Sequence, residues 1–417
     1  MRFISCVFIS LFLAASLTAQ VINENDLTVK VALFGPGDEI FSWWGHIDLV
    51  IDDERTGRSA SYDFGVFSYE DNNFLKNIVL GRLLYNCETL PTEYNINWYI
   101  TNNRDVTIYT LDLPPEKKEE IRQLAEMSLL PENQYYIYRF FDNNCTTRIR
   151  DIIDMAVGGQ LKARFANEKC HFTLRQQVRC NIWFSPVIEW FLCFFLGQNI
   201  DSEITFWEAM FLPSELAGCI NELMYTDENG ISRKLVSNME TICRSQGRFP
   251  VLDIPGKQWP QGFTVGFIAA LFLVLLFFVQ AKFPAIGQAA LGITYSLFGL
   301  LFGGAGLLLF FMNFFTSYDC TYYNANLLFC NPLLLASFPL GIKYAVARNY
   351  SKRLFAETSL RLLWFLAALG IIVSMLIKLL PMFWQKNFPY QILMLPIALT
   401  LSLEPSGLKK IIQRFFY

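Results

Sequence analysis

The chain has 417 residues, 53% of them apolar, and its two histidines exclude a His-rich metal centre. That length has room for about two domains. Charge is unevenly placed: residues 261–417 hold eleven basic side chains against three acids (Asp319, Glu357, Glu404), near +8, which leaves near −11 elsewhere in a chain of net charge −3. The asymmetry fits a membrane part joined to an acidic, water-facing part.

The first residues, MRFISCVFISLFLAASLTAQ, combine Arg2, a short apolar run and small residues up to Ala19. They read as a secretory signal over residues 1–19, which puts the chain from about residue 20 onward outside the cytoplasm. Three β-like runs come next, LTVKVALF (27–34), GHIDLVIDD (45–53) and SASYDFGVF (59–67), divided by Gly, Asp and Pro. RDVTIYTLDL (104–113) is a further strand. PPEKKEEIRQLAEMSLL (114–130) opens a helix with proline and early acids.

QYYIYRFF (134–141) is an extended lead-in to DNNCTTRIRD (142–151). From Cys145 onward Ile149, Ile152, Ile153 and Ala156 share one helical face, and Gly158-Gly159 ends it. IWFSPVIEWFLCFFLG (182–197) is apolar, but Pro186 and Glu189 interrupt it. It reads either as a helix along the bilayer surface or under the preceding domain, or as an ordinary core helix.

Beyond residue 261 charge nearly vanishes, and five transmembrane helices are expected near 262–280, 288–312, 325–345, 360–379 and 388–404. Nine Lys and Arg fall in the loops near 281–287, 343–361 and 406–417, so the positive-inside rule puts the C-terminus in the cytoplasm. The expected organisation is therefore signal 1–19, periplasmic domain 20–260 and helical membrane domain 261–417, in a bacterial inner membrane. An exported chain with ten cysteines permits disulfides, with Cys170–Cys180, Cys219–Cys243 and Cys320–Cys330 as local pairs. Neither a zinc spacing nor a nucleotide-binding glycine loop is present, and no nucleic-acid partner is expected.

Cys145 at a helix start would feel unpaired N–H groups and the positive end of the helix dipole, both of which favour thiolate. A thiolate needs a proton shuttle, and His46 or His171 can supply one. His46 is preferred because a strand holds its ring rigidly. Asp63 on the next strand would orient the imidazole, while Asp48 shares the face of His46. On residue types alone, these two residues read more readily as a buried structural thiol and a satisfied core histidine.

LFGPGDEIFSWWGHIDLVI, YDFGVF, YYIYRFFDNNCTTRIRD and FWEAMFLPSEL, in this order, resemble the Lnb-type N-terminal periplasmic domain of Bacteroides lipoprotein N-acyltransferases, over roughly residues 28–220. That domain is similar in arrangement to circularly permuted NlpC/P60-like thiol enzymes such as lecithin:retinol acyltransferase. The resemblance implies an α+β thiol-enzyme domain followed by an all-α membrane domain. It also implies acyl transfer from a membrane phospholipid, through a Cys145 thioester, to the α-amine of a diacylated lipoprotein, with no metal and no cofactor. His46 would be the base.

On that reading Asn144 would help hold the oxyanion, Thr146 would line the site and Arg148 would meet the donor phosphate. Tyr323, Asn324 and Asn326, in an outward loop at 317–332, would touch headgroup or lipoprotein, or else only cap and pack helices. The competing readings are a membrane-anchored NlpC/P60-like cell-wall amidase and a non-catalytic scaffold.

Overall fold

The computed structural model describes residues 26–67 and 73–403. The expected signal at 1–19 and the basic tail at 406–417 lie outside them.

Seven antiparallel strands form the first unit: β1 (Leu27–Phe34), β2 (His46–Asp53), β3 (Arg58–Val66), β4 (Leu84–Pro91), β5 (Val106–Leu111), β6 (Tyr135–Ile137) and β7 (Val236–Cys243). Their order across the sheet is β6-β4-β3-β2-β1-β5-β7. The helices between them are α1 (Phe74–Leu80), α2 (Thr92–Thr101), α3 (Pro115–Met127) and α4 (Cys145–Ala156).

Alternation along the strands gives each face its own cover. Val29, Val31, Ile47, Leu49, Tyr62 and Phe64 pack against α3, α4 and the helix Pro213–Glu222, where Ile149 and Ile153 are fully buried. Each such aliphatic side chain contributes roughly 1.5–3 kcal/mol. Ala32, Phe34, Val50, Val106 and Ile108 turn the other way and pack against Tyr99 of α2. The sequence carried no expectation for α1, β4, α2 or β7.

Helices α5 (Leu174–Ile182) and α6 (Pro186–Phe195) lead toward the helical region: α7 (Trp259–Lys282), α8 (Pro284–Phe315), α9 (Ser337–Val346), α10 (Tyr350–Leu376, continued by a 3-10 turn to Leu379) and α11 (Phe388–Ser402). Among the described residues three helices are long and apolar enough to cross a membrane: α7, α8, and α10 with its extension. Of the five expected spans, three fall on these helices, and the other two fall on the shorter apolar helices Pro332–Val346 and Phe388–Ser402. At 325–345 the chain breaks into 3-10 turns before α9, because Asn324 and Asn331 cap new turns and Pro332 cannot continue an old one. Fifteen-residue α11 rises only about 22 Å against a hydrocarbon core of about 30 Å.

Close approach replaces side-chain bulk between α8 and α9. A Cβ at Gly292 would come within 2.6 Å of Gly341 O, and Ser296 donates across the contact to Phe338 O at 2.9 Å.

A buried polar knot joins the two units. Arg175 of α5 makes a two-pronged ion pair with Asp201 at 2.8 and 3.0 Å, and also donates to the carbonyls of Cys193, Leu196 and Gly197. Asp201 in turn accepts from the backbone of Lys386 at 2.9 Å. Trp190 of α6 lies edge-on to Tyr390 of α11 and accepts its hydroxyl at 2.9 Å, so α6 packs on the helical region.

Candidate functional site

The geometry of β2 and β3 builds the site. Their pairing runs from Asp53–Arg58 to Leu49–Tyr62, and the same register carried one and three residues further puts Asp48 opposite Asp63 and His46 opposite Gly65. His46 Nε2 lies 2.9 Å from Asp63 Oδ1 in a hydrogen bond, and 3.0 Å from Asp48 Oδ1. Only the Asp63 oxygen has the angle to accept the ring N–H, so the Asp48 contact is a close approach. Gly65 makes room: a Cβ there would sit 2.5 Å from His46 Cε1. Among the described residues no hydrogen bond reaches Nδ1.

Both carboxylates are braced. Asp48 is fully buried, and its Oδ2 accepts from Ser61 Oγ at 2.8 Å and Asn95 Nδ2 at 2.6 Å. Gly65 N donates to Asp63 Oδ1 at 2.6 Å. Burial and the neighbouring Asp63 push Asp48 up. Burial also acts to raise Asp63, but His46, the Gly65 amide and Arg104 outweigh it and hold this carboxyl below its usual range.

Burial alone would lower His46. Tyr99, Asp63, Cys145 and Asp48 raise it, to well above its ordinary value. Burial pushes the Tyr99 hydroxyl up, so Tyr99 is neutral near pH 7 and Asp63 is the carboxylate that holds the charge beside the ring. The site thus favours an imidazolium beside the Asp63 carboxylate.

Cys145 is the first residue of α4 and only 8% exposed. Its helix packs on the opposite face of the sheet from α2. Cys145 and His46 are near enough to interact electrostatically. Among the described residues no acceptor takes the N–H groups of Cys145 and Thr146, which leaves two donors free at the helix start.

All nine described cysteines are free, so none of the possible pairs Cys170–Cys180, Cys219–Cys243 and Cys320–Cys330 is formed. Burial pushes Cys87, Cys180 and Cys219 up to about 12, 11 and 12. They are held as inert thiols.

Several expected contacts take other roles. Asn144 caps α4: its Oδ1 accepts from Thr147 N at 2.9 Å, and its Nδ2 donates to Phe140 O and Phe211 O, both at 2.9 Å. With its amide fully engaged it has no donor left for an oxyanion. Thr146 is fully buried, 3.8 Å from the Cys145 sulfur, and lines the thiol from within. Asn324 donates to the carbonyls of Phe194, Phe195 and Leu196, and Asn326 to Phe194 O, so both staple α6 to the helical region. Tyr323 is 72% exposed with φ +56°.

Arg148 stacks over Tyr136 at 4.4 Å and donates to Asn143 Oδ1 at 3.0 Å. Among the described residues it pairs with no carboxylate, unlike Arg150, which binds Asp151 at 2.8 Å and stacks over Trp207. His171 is exposed in a loop and makes no part of this site.

Residues 16–178 match the family described as the Lnb N-terminal periplasmic domain. This stretch is an Lnb-type domain. It contains His46, Asp48, Asp63 and Cys145, and a helical region with three apolar helices of spanning length follows it. Neither a curated protein nor a solved structure matches the chain.

Residue types alone did not mark the support of the Lnb-type site by Ser61, Asn95, Tyr99 and Arg104. The ring donor of His46 and the nearest oxygens of Asp48 and Asp63 lie within 4.8 Å of one another, close enough to ligate a cation.

Proposed function

We propose that the protein is a lipoprotein N-acyltransferase of the membrane surface, with Cys145 as nucleophile, His46 as acid and base, and Asp63 as the group that orients the ring. One observation carries the reading: a cysteine heads a helix with free amides, within electrostatic range of a histidine clamped at Nε2, in an Lnb-type domain knotted to apolar helices. The match to that domain supports the broader statement, that this is a membrane protein of lipoprotein processing.

The Cys145 thiolate attacks an ester carbonyl of a phospholipid donor, and the N–H groups of Cys145 and Thr146 hold the oxyanion. The bond between the acyl carbon and the ester oxygen breaks, the departing glycerol oxygen takes a proton from His46 Nδ1, and a lysophospholipid leaves behind a thioester. The α-amine of the S-diacylglyceryl cysteine of a lipoprotein then attacks. His46 removes its proton, the C–S bond breaks, and an amide and the original thiolate result. Asp63 keeps Nε2 protonated throughout, and Asp48, with its tendency to retain a proton, limits the negative charge in the cluster. Arg148 meets the donor phosphate.

In this reading the catalytic domain faces the periplasm from the inner membrane and the C-terminus is cytoplasmic. The histidine strand precedes the nucleophile helix, as in permuted NlpC/P60-like enzymes.

Mass spectrometry of a lipoprotein N-terminal peptide tests it, from cells lacking the protein and complemented with wild type, Cys145→Ala or His46→Ala. An amide-linked chain restored by wild type alone is expected. Restoration by Cys145→Ala overturns the mechanism, and stem-peptide release from cell wall without any change in the lipoprotein favours an amidase.

A further inference from the structure

Helix α1 buries none of its seven residues. Leu75 and Val79 are 75% and 55% exposed, and at i, i+4 they share one face. A water-facing helix of this kind gains nothing from apolar residues there. A second exposed pair, Ile40 and Phe41, joins the same patch through rings: Phe41 lies edge-on to Phe67, which stacks on Phe74 at the start of α1.

The anchorage of α1 indicates what covers it. Ser317 N donates to Leu80 O at 2.8 Å and the Tyr318 hydroxyl to Ile78 O at 2.7 Å. Ser317 and Tyr318 directly follow α8, whose 32 residues rise about 48 Å, more than the roughly 40–45 Å of a bilayer with its headgroups. The end of α8 therefore reaches the headgroup layer, where its Phe314 and Phe315 are exposed and Tyr318, Tyr322 and Tyr323 follow as interfacial aromatics do. Tyr318 also stacks on Phe140, five residues before Cys145, with ring centroids 6.1 Å apart.

We propose that α1, with Ile40 and Phe41, lies in the bilayer surface and contacts phospholipid acyl chains. It seats the Cys145 site at the level from which a donor ester is drawn. The patch is continuous with an apolar span through two hydrogen bonds, and it turns Leu75 and Val79 away from the protein toward the only apolar medium available at that height. The inference rests on the reading of α8 as a membrane span and deepens the acyltransferase reading by naming how the donor is presented.

The test uses the full chain in phospholipid vesicles, with a benzophenone amino acid at Leu75 or Val79, a positive control at Leu271 on α7, and a water-facing control at Glu228. Irradiation is expected to give lipid adducts at 75, 79 and 271 and none at 228. Adducts at 271 alone overturn the proposal. As a second arm, Leu75→Glu combined with Val79→Glu is expected to slow acylation of Cys145 by vesicle phospholipid at least about tenfold, as the loss of two apolar anchors requires. The rate with a soluble short-chain ester stays the same. Equal loss with both donors makes the helix a structural element and overturns the inference. Lipid adducts at 75 and 79 in a protein that never acylates Cys145 leave the contact standing and remove the acyltransferase reading.

Discussion

Asp63 Oδ1 lies 2.9 Å from His46 Nε2 and also accepts the Gly65 amide at 2.6 Å, so one oxygen fixes the imidazole and the strand end that lets it lie flat. Replacing Asp63 with Asn puts a neutral amide where the imidazolium has its counter-charge. Acyl transfer is expected to fall by roughly 10²- to 10⁴-fold with the melting temperature little changed. Single-turnover acylation of Cys145 measures it, and full activity in Asp63→Asn would exclude Asp63 from the relay.

The pH dependence of stability follows from His46. Burial acts to lower it, yet Tyr99, Asp63, Cys145 and Asp48 hold it well above 6.5. A raised group adds stability that is complete below its unfolded value and fades as pH climbs through the folded one. The unfolding free energy of wild type minus that of His46→Gln should therefore be largest below about pH 6 and shrink on the alkaline side. A difference that grows with pH would contradict this charge arrangement.

Arg148 offers a cation that no carboxylate engages among the described residues. With Arg148→Gln, KM for a phospholipid donor should rise by roughly tenfold, the size of one charge-assisted contact, while a neutral glyceride ester is used as before. An equal loss on both donors would assign Arg148 to packing on Tyr136.

Asn144 is a cap, so its loss should show first in stability. Asn144→Ala removes the bond to Thr147 N and two carbonyl contacts, and should cost about 1–2 kcal/mol in chemical denaturation. Asn144→Ser, which keeps the cap oxygen, should recover part of it. Lost activity at unchanged stability would return Asn144 to the oxyanion site.

The His46, Asp48 and Asp63 cluster separates a proton relay from a metal centre by one treatment. Dialysis against EDTA is expected to leave Cys145 acylation unchanged. Loss of activity that zinc restores would make the cluster a cation site instead.

Much of the first unit was legible in residue order. Period-2 alternation marked β1 at its observed bounds and β2 within a residue, and the Asn-Cys-Thr-Thr start with Gly158-Gly159 framed α4. Asp63 was reachable because two adjacent strands bring residues 17 apart together. Contacts between distant segments were not legible. Asn144 meets Phe211 and Asn326 meets Phe194, so polar residues beside a reactive block or an apolar span looked like ligand contacts when carbonyls far along the chain already held them. Stretch 73–101 was silent because Leu75 and Val79 of α1 are exposed among the described residues, and α2 is recognisable only through what Asn95 and Tyr99 touch.

The knot around Arg175 has a mechanical meaning. Its side chain and that of Asp201 are 2% and 0% exposed, and loosening them would strand charges away from water, so the domain does not swing on a hinge. On the acyltransferase reading the sulfur would then ride at one altitude above the lipid plane, like the stylus of a rigid tonearm, and each substrate would have to climb to that height.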